Sequence, residues 1–126
     1  MSGDQVKAKW FRYRDAINQR DLDLLDRVAD ELFTADVVYH APGMVYAGSG
    51  RVAQKANMRA AIAASPDFHL QIDELLSDGD RVIARVTVLT NDPTTGAVQS
   101  NVCLEIDRVV DGKVAEGWNL MAPGTW

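Results

Sequence analysis

The chain has 126 residues, thirteen basic and eighteen acidic, for a net charge of −5 at pH 7. That length suits a single domain, 1–126, since domains run to about 100–150 residues, and the acidic balance without a Lys/Arg cluster excludes nucleic acid and other polyanions as expected partners. One cysteine excludes an internal disulfide, and two histidines without zinc-type spacing exclude a structural metal, so the fold must rest on its apolar core.

The opening MSGDQVKAKW lacks the apolar stretch of a signal peptide, and no later run approaches the ~18 apolar residues of a membrane span. No membrane partner and a cytoplasmic location are therefore expected. From Asp4, read as an N-cap, Val6, Trp10, Tyr13 and Ile17 recur at helical spacing and predict the buried stripe of a first helix. Arg20 and Asp21 interrupt it. Asp21 caps a second predicted helix, in which Leu22, Leu25, Val28, Ala29 and Leu32 keep the period. A short strand, Val37 to His40, stops at Pro42-Gly43. Arg51 to Ala64, rich in Ala, Met and Gln and free of Gly and Pro, predicts a third helix ended by Ser65-Pro66-Asp67.

From Phe68 the rhythm changes: Phe68, Leu70 and Ile72 alternate with His69, Gln71 and Asp73, the period of a half-buried strand. Asp78-Gly79 turns into a β-branched strand, Arg81 to Thr90. The polar link 91–96 leads to a strand from Val98 to Val110, and Asp111-Gly112 turns into the last one, Val114 to Met121. Long strands joined by tight turns form an antiparallel meander that must bury one face against the helices. There are no repeats or low-complexity linkers.

Five short runs in this order resemble the SnoaL-like polyketide cyclases and ester cyclases, within the superfamily of nuclear transport factor 2, ketosteroid isomerase and limonene epoxide hydrolase. They are Asn18 to Asp23, Asp36 to Pro42, Pro66 to Phe68, Gly79 to Arg85 and Asp111 to Asn119. The resemblance implies an α+β fold: a cone-shaped, curved antiparallel sheet wrapped around the N-terminal helices and enclosing an apolar pocket. It also implies a small apolar molecule as ligand, no cofactor, and a homodimer paired through the outer sheet face. Fold does not settle chemistry, so each position is weighed separately.

Where SnoaL-like cyclases carry His-Trp-Asp on the last strand, with the Asp as proton carrier, this chain has Gly117-Trp118-Asn119. An amide cannot accept and return a proton near neutral pH. Asn119 is thus expected to line the pocket and orient a substrate oxygen, or else to be a satisfied structural amide. Limonene epoxide hydrolase has Arg-Val-Asp-Val-Leu where this chain has Arg85-Val86-Thr87-Val88-Leu89; both carboxylates of its relay are replaced, by Thr87 and Asn119. Arg85 is expected to point into the cone, the alternative being the solvated convex face. Glu105 is its expected partner and falls near the second acid of the isomerase. Cys103, Glu105 and Asp107 share one face of their strand, but whether it faces cavity or solvent stays open.

His40, with an unperturbed pKa near neutrality, is the remaining proton carrier in this reading. The expected catalytic set is His40, Arg85, Glu105 and Asn119. Tyr13, Phe33, Tyr46, Met58, Ile62, Thr87, Cys103 and Gly117 are expected to bind substrate, although for Tyr13, Phe33, Tyr46, Met58 and Ile62 core packing is the commoner role. Trp118, out of phase with Asn119, is expected in the core or a dimer contact. Three functions stay open: a cofactor-independent cyclase or isomerase acting on a small apolar carbonyl or polyketide-like compound, a non-catalytic binder of the same fold, and an epoxide hydrolase with an altered relay.

Overall fold

The computed structural model describes residues 2–44 and 48–126. Three helices, α1 (Ser2–Gln19), α2 (Leu22–Leu32) and α3 (Gly50–Ala64), accompany five strands: β1 (Phe33–His40), β2 (His69–Asp78), β3 (Arg81–Asn91), β4 (Val98–Val110) and β5 (Lys113–Pro123). They form one curved sheet in the order β1-β5-β4-β3-β2. The expected α+β fold and the meander β2 to β5 are present. The exception is β1, which pairs with β5 in parallel, His40 beside Trp118. It also begins four residues earlier than expected, because Phe33 is already extended and its N–H still closes the last turn of α2 on the Ala29 carbonyl.

Helix α1 starts at Ser2 rather than after a cap at Asp4. Asp4 instead sits in the first turn, where a carboxylate complements the helix dipole, and accepts a hydrogen bond from Ser77 Oγ. Gly3 allows this end to seat on the β2–β3 turn: its N–H donates to the Gly79 carbonyl at 3.1 Å, and a Cβ there would lie 2.9 Å from the same oxygen. Asp21 caps α2 as expected, accepting from the Leu24 N–H.

The core lies between α1, α2 and the inner sheet face. Val6, Tyr13, Ile17, Leu25, Val28, Leu32, Phe33, Val82 and Val114 are almost wholly buried. Trp10, Tyr13, Phe33 and Tyr39 meet edge to face, with centroids 5.5 to 6.0 Å apart. Edge-to-face pairs set the positive ring edge on the negative face of the next ring, adding about 0.5–1.5 kcal/mol each to simple burial. Helix α3 buries only Ile62; it packs against β1 rather than down onto β2 to β5, and the space left there is a cavity. No helix among the described residues is long and apolar enough to cross a membrane.

The outer sheet face is unusually apolar. Register aligns Leu76, Ile83, Ile106 and Trp118 in one row, and places Leu104 beside Leu120 in the next. All six are more than a third exposed.

Candidate active site

A cavity of about 510 Å³ lies between α1, α3 and the inner face of β2 to β5. Its wall is largely apolar, with Met58 and Ala61 from α3 and Phe68, Leu70, Ile72, Leu75, Ala84, Val86 and Val88 from the sheet. The alternation of β4 now has a direction: Cys103 and Glu105 line the cavity and Asp107 lies buried on the same face. Leu104 and Ile106 face outward. Across the β4–β5 register Glu105 stands beside Asn119, and Asp107 beside Gly117.

These neighbours form a compact acid cluster. Asn119 Nδ2 lies 3.4 Å from Glu105 Oε1, a weak donor contact, while Trp10 Nε1 donates to Asp107 Oδ2 at 3.1 Å. Burial, then the Glu105 charge and the hydrogen bond between the two carboxyls, hold Asp107 well above the usual carboxylate range; donors on Trp10 and Tyr39 work against this. Glu105 is also raised by burial, but the hydrogen bonds from Asp107 and Asn119 pull it back. Both carboxyls are therefore held toward their protonated forms, Asp107 the more strongly, and Glu105 is the one that faces the cavity. Burial, with the Glu105 and Asp107 charges, pushes the Cys103 thiol up to about 12, so it stays neutral and serves as wall.

Gly117 is not part of the wall. A Cβ there would overlap the Tyr39 ring and stand 2.7 Å from Asp107 Oδ1. The missing side chain is what lets Tyr39, on β1, close over the buried acid.

Of the expected residues, Tyr13, Met58, Cys103, Glu105 and Asn119 come together on the cavity. Three do not. Arg85 belongs to the outward set of β3, where its Nε lies 3.6 Å from Glu74 Oε1 and its guanidinium lies over the Trp126 ring at 5.4 Å. Thr87, two residues on, shares that side and donates to Asp73 Oδ2 at 2.7 Å. His40 is exposed, paired through Nε2 with Glu116 Oε2 at 2.7 Å and stacked on Trp118. For Arg85 and Thr87 strand alternation decides: the inner positions of β3 are Ala84, Val86 and Val88, so these two must face away. An Arg-containing epoxide-opening relay therefore cannot assemble in this cavity. Phe33 and Ile62 are core rather than wall. Tyr46 lies outside the described residues.

The sequence reading missed Asp107 and Trp10 as site residues. Asp107 had a signal, since it shares the period of Glu105. Trp10 had only its place on the α1 stripe, which reads as core. Among the described residues, no three His, Cys, Asp or Glu side chains are grouped to hold a metal ion.

Three solved structures share this architecture. IdmH of Streptomyces antibioticus, a candidate polyketide cyclase, is 23% identical with a TM-score of 0.75, covering 93% of this chain and 91% of its own. AclR of Streptomyces galilaeus, a candidate hydroxylase, is 25% identical with a TM-score of 0.73, covering 96% and 91%. A candidate SnoaL-like polyketide cyclase from Jannaschia is 16% identical with a TM-score of 0.77, covering 95% and 87%. No curated protein matches the chain. The model of the SnoaL-like domain matches residues 10–117, from the tryptophan that holds the buried acid to the glycine beside it. The chain thus belongs to the SnoaL-like domain family, within the nuclear transport factor 2-like superfamily.

Proposed function

We propose that the protein is an acid/base catalyst of the cyclase or isomerase type, acting on a small, mostly apolar carbonyl or polyketide-like compound. The observation that carries this reading is the Glu105–Asp107 pair on one face of β4, Glu105 on the wall of an apolar cavity and Asp107 buried behind it, with both acids raised by burial. Glu105 takes a proton from a carbon beside the carbonyl. The C–H electron pair passes into the enolate, which either reprotonates at another carbon or attacks a second carbonyl to close a ring. Glu105 returns the proton in both cases, so no cofactor is required. A positioned base of this kind accelerates proton transfer by about 10²–10⁴-fold.

The test is hydrogen–deuterium exchange at the α-carbon of 2-tetralone in D2O, followed by NMR. Exchange above the buffer rate that disappears in Glu105→Gln supports the proposal. A wild-type rate equal to buffer, with 2-tetralone bound, removes it in favour of the second reading, a non-catalytic small-molecule binder. That reading draws on Asn119, an amide where related cyclases carry their proton-transferring Asp. The proposed assembly is a homodimer through the apolar outer face.

A further inference from the structure

Taking a proton from beside a carbonyl drives negative charge onto the carbonyl oxygen, and a donor placed at that oxygen lowers the barrier. The described wall has no Lys, Arg or His, so the side chains able to meet the charge are neutral donors. Most of them are committed. Trp10 Nε1 and the Tyr39 hydroxyl donate to Asp107, and Asn119 Nδ2 turns to Glu105. The Tyr13 hydroxyl is buried out of a ligand's reach, and Asn57 already has a partner. Thr90 keeps its O–H while its Oγ1 accepts from Asn101. It stands six residues along β3 from Ala84, the neighbour of Glu105, a strand length of about 20 Å. One carbonyl cannot reach both.

Gln54 is different. With Asn57, Met58 and Ala61 it occupies positions i, i+3, i+4 and i+7 of α3, the face turned to the cavity. It is half-buried, and its amide makes no hydrogen bond to any described residue. Helix α3 starts beside β1, where Arg51 donates to the Phe33 carbonyl at 3.1 Å. It ends beside β3, where Ser65 Oγ accepts from the Asn91 N–H at 3.1 Å. Gln54 lies within one turn of Arg51, and so belongs to the β1–β5 side of the cavity, toward Asn119 and Glu105, rather than to the Thr90 end. We infer that Gln54 is a catalytic residue whose Nε2 donates a hydrogen bond to the substrate carbonyl oxygen from the helix wall, while Glu105 takes the α-proton from the sheet wall. The C–H pair forms the enolate double bond, the carbonyl π pair moves onto the oxygen held by Gln54, and the proton rests on Glu105. No co-reactant is needed. This rests on the proposed carbon-acid reaction and names the residue that holds its oxygen.

The test compares wild type with Gln54→Met, which keeps the side-chain length and helix propensity and removes the amide. Exchange of 2-tetralone is resolved into kcat and KM, and the infrared carbonyl stretch of the bound ketone is recorded. Tetralin, the same skeleton without the oxygen, controls for cavity shape. Gln54→Met should lower kcat about tenfold or more, since one oxyanion donor in a closed site is worth about 10²–10³-fold. It should also move the bound carbonyl stretch to higher frequency and leave tetralin affinity within about twofold. Gln54→Glu, which at neutral pH offers acceptors only, should lower kcat further. Unchanged kcat in Gln54→Met, folded by circular dichroism, overturns the inference and spares Glu105 as base. Equal loss of tetralin and tetralone affinity also overturns it, because that marks a packing role. No exchange in wild type removes the acid/base reading. If the bound carbonyl stretch then still depends on Gln54, the hydrogen bond to the ketone stands; if it does not, both fall.

Discussion

Trp10 and Asp107, 97 residues apart, are joined by a 3.1 Å hydrogen bond from the indole N–H to Oδ2. This bond ties the middle of α1 to the inner face of β4, and it holds the acid that sets the protonation of Glu105. Replacing Trp10 by Phe keeps a ring in the aromatic cluster and removes the donor. Because that donor lowers the Asp107 pKa, its loss should raise it further. Stability should fall by about 1–3 kcal/mol, the cost of an unsatisfied buried acceptor. Urea unfolding measures the second effect and the pH profile of α-carbon exchange the first.

The acid pair also gives a pH dependence of known sign. A carboxyl whose folded pKa is raised above the ordinary 3.8 favours folding in its protonated form. That contribution is complete below the unfolded pKa and is lost as pH rises toward the folded one. Wild-type protein should therefore lose stability as pH rises above about 4, and Asp107→Asn, which has no proton to lose, should lose less over the same rise. Parallel melting curves for the two proteins would contradict the raised Asp107.

Gly117→Ala should be destabilising without adding charge or polarity. The new methyl overlaps the Tyr39 ring and approaches Asp107 Oδ1, and overpacking of this kind typically costs about 1–3 kcal/mol. Tyr39→Leu in the same background makes room, so the double variant should recover part of the loss in chemical denaturation.

His40→Ala and Arg85→Ala should leave exchange within about twofold of wild type, since general-base loss would cost 10²-fold or more and both side chains lie on the outer face. A hundredfold loss in either variant, measured with the same ketone, would return that residue to the mechanism.

The outer face supplies a prediction about assembly. Leu104 and Leu120 are neighbours across the β4–β5 register and are 53% and 64% exposed. Sedimentation should find a dimer in wild-type protein and a folded monomer in Leu104→Lys/Leu120→Lys, because a lysine pair set against its symmetry mate is repelled and desolvated.

Much of the site was legible in strand periodicity. The face shared by Cys103, Glu105 and Asp107 is visible in the sequence; its direction is not, because both faces of this sheet are apolar enough to pass for the inner one. Leu104 and Ile106 look like core and are exposed, while Glu105 and Asp107 look like surface and are inside. The same ambiguity misplaced Arg85 and Thr87. His40 was misplaced for a different reason. Its strand joins β5 in parallel, and that pairing sets His40 beside Trp118 on the outer face.

By itself the sequence determined the elements and their order, since helical and strand periods, the Asp21 cap and the Asp-Gly turns are local features that neighbouring residues encode. Tertiary structure alone decided which face of each strand became the cavity. That choice depends on where α1 and α3 pack, a long-range outcome that brings Trp10 to Asp107 and sets two carboxyls side by side beneath an apolar wall. The acidic excess of the chain is spread along its length, but the fold buries two of those acids together, where desolvation gives them chemistry that composition could not show.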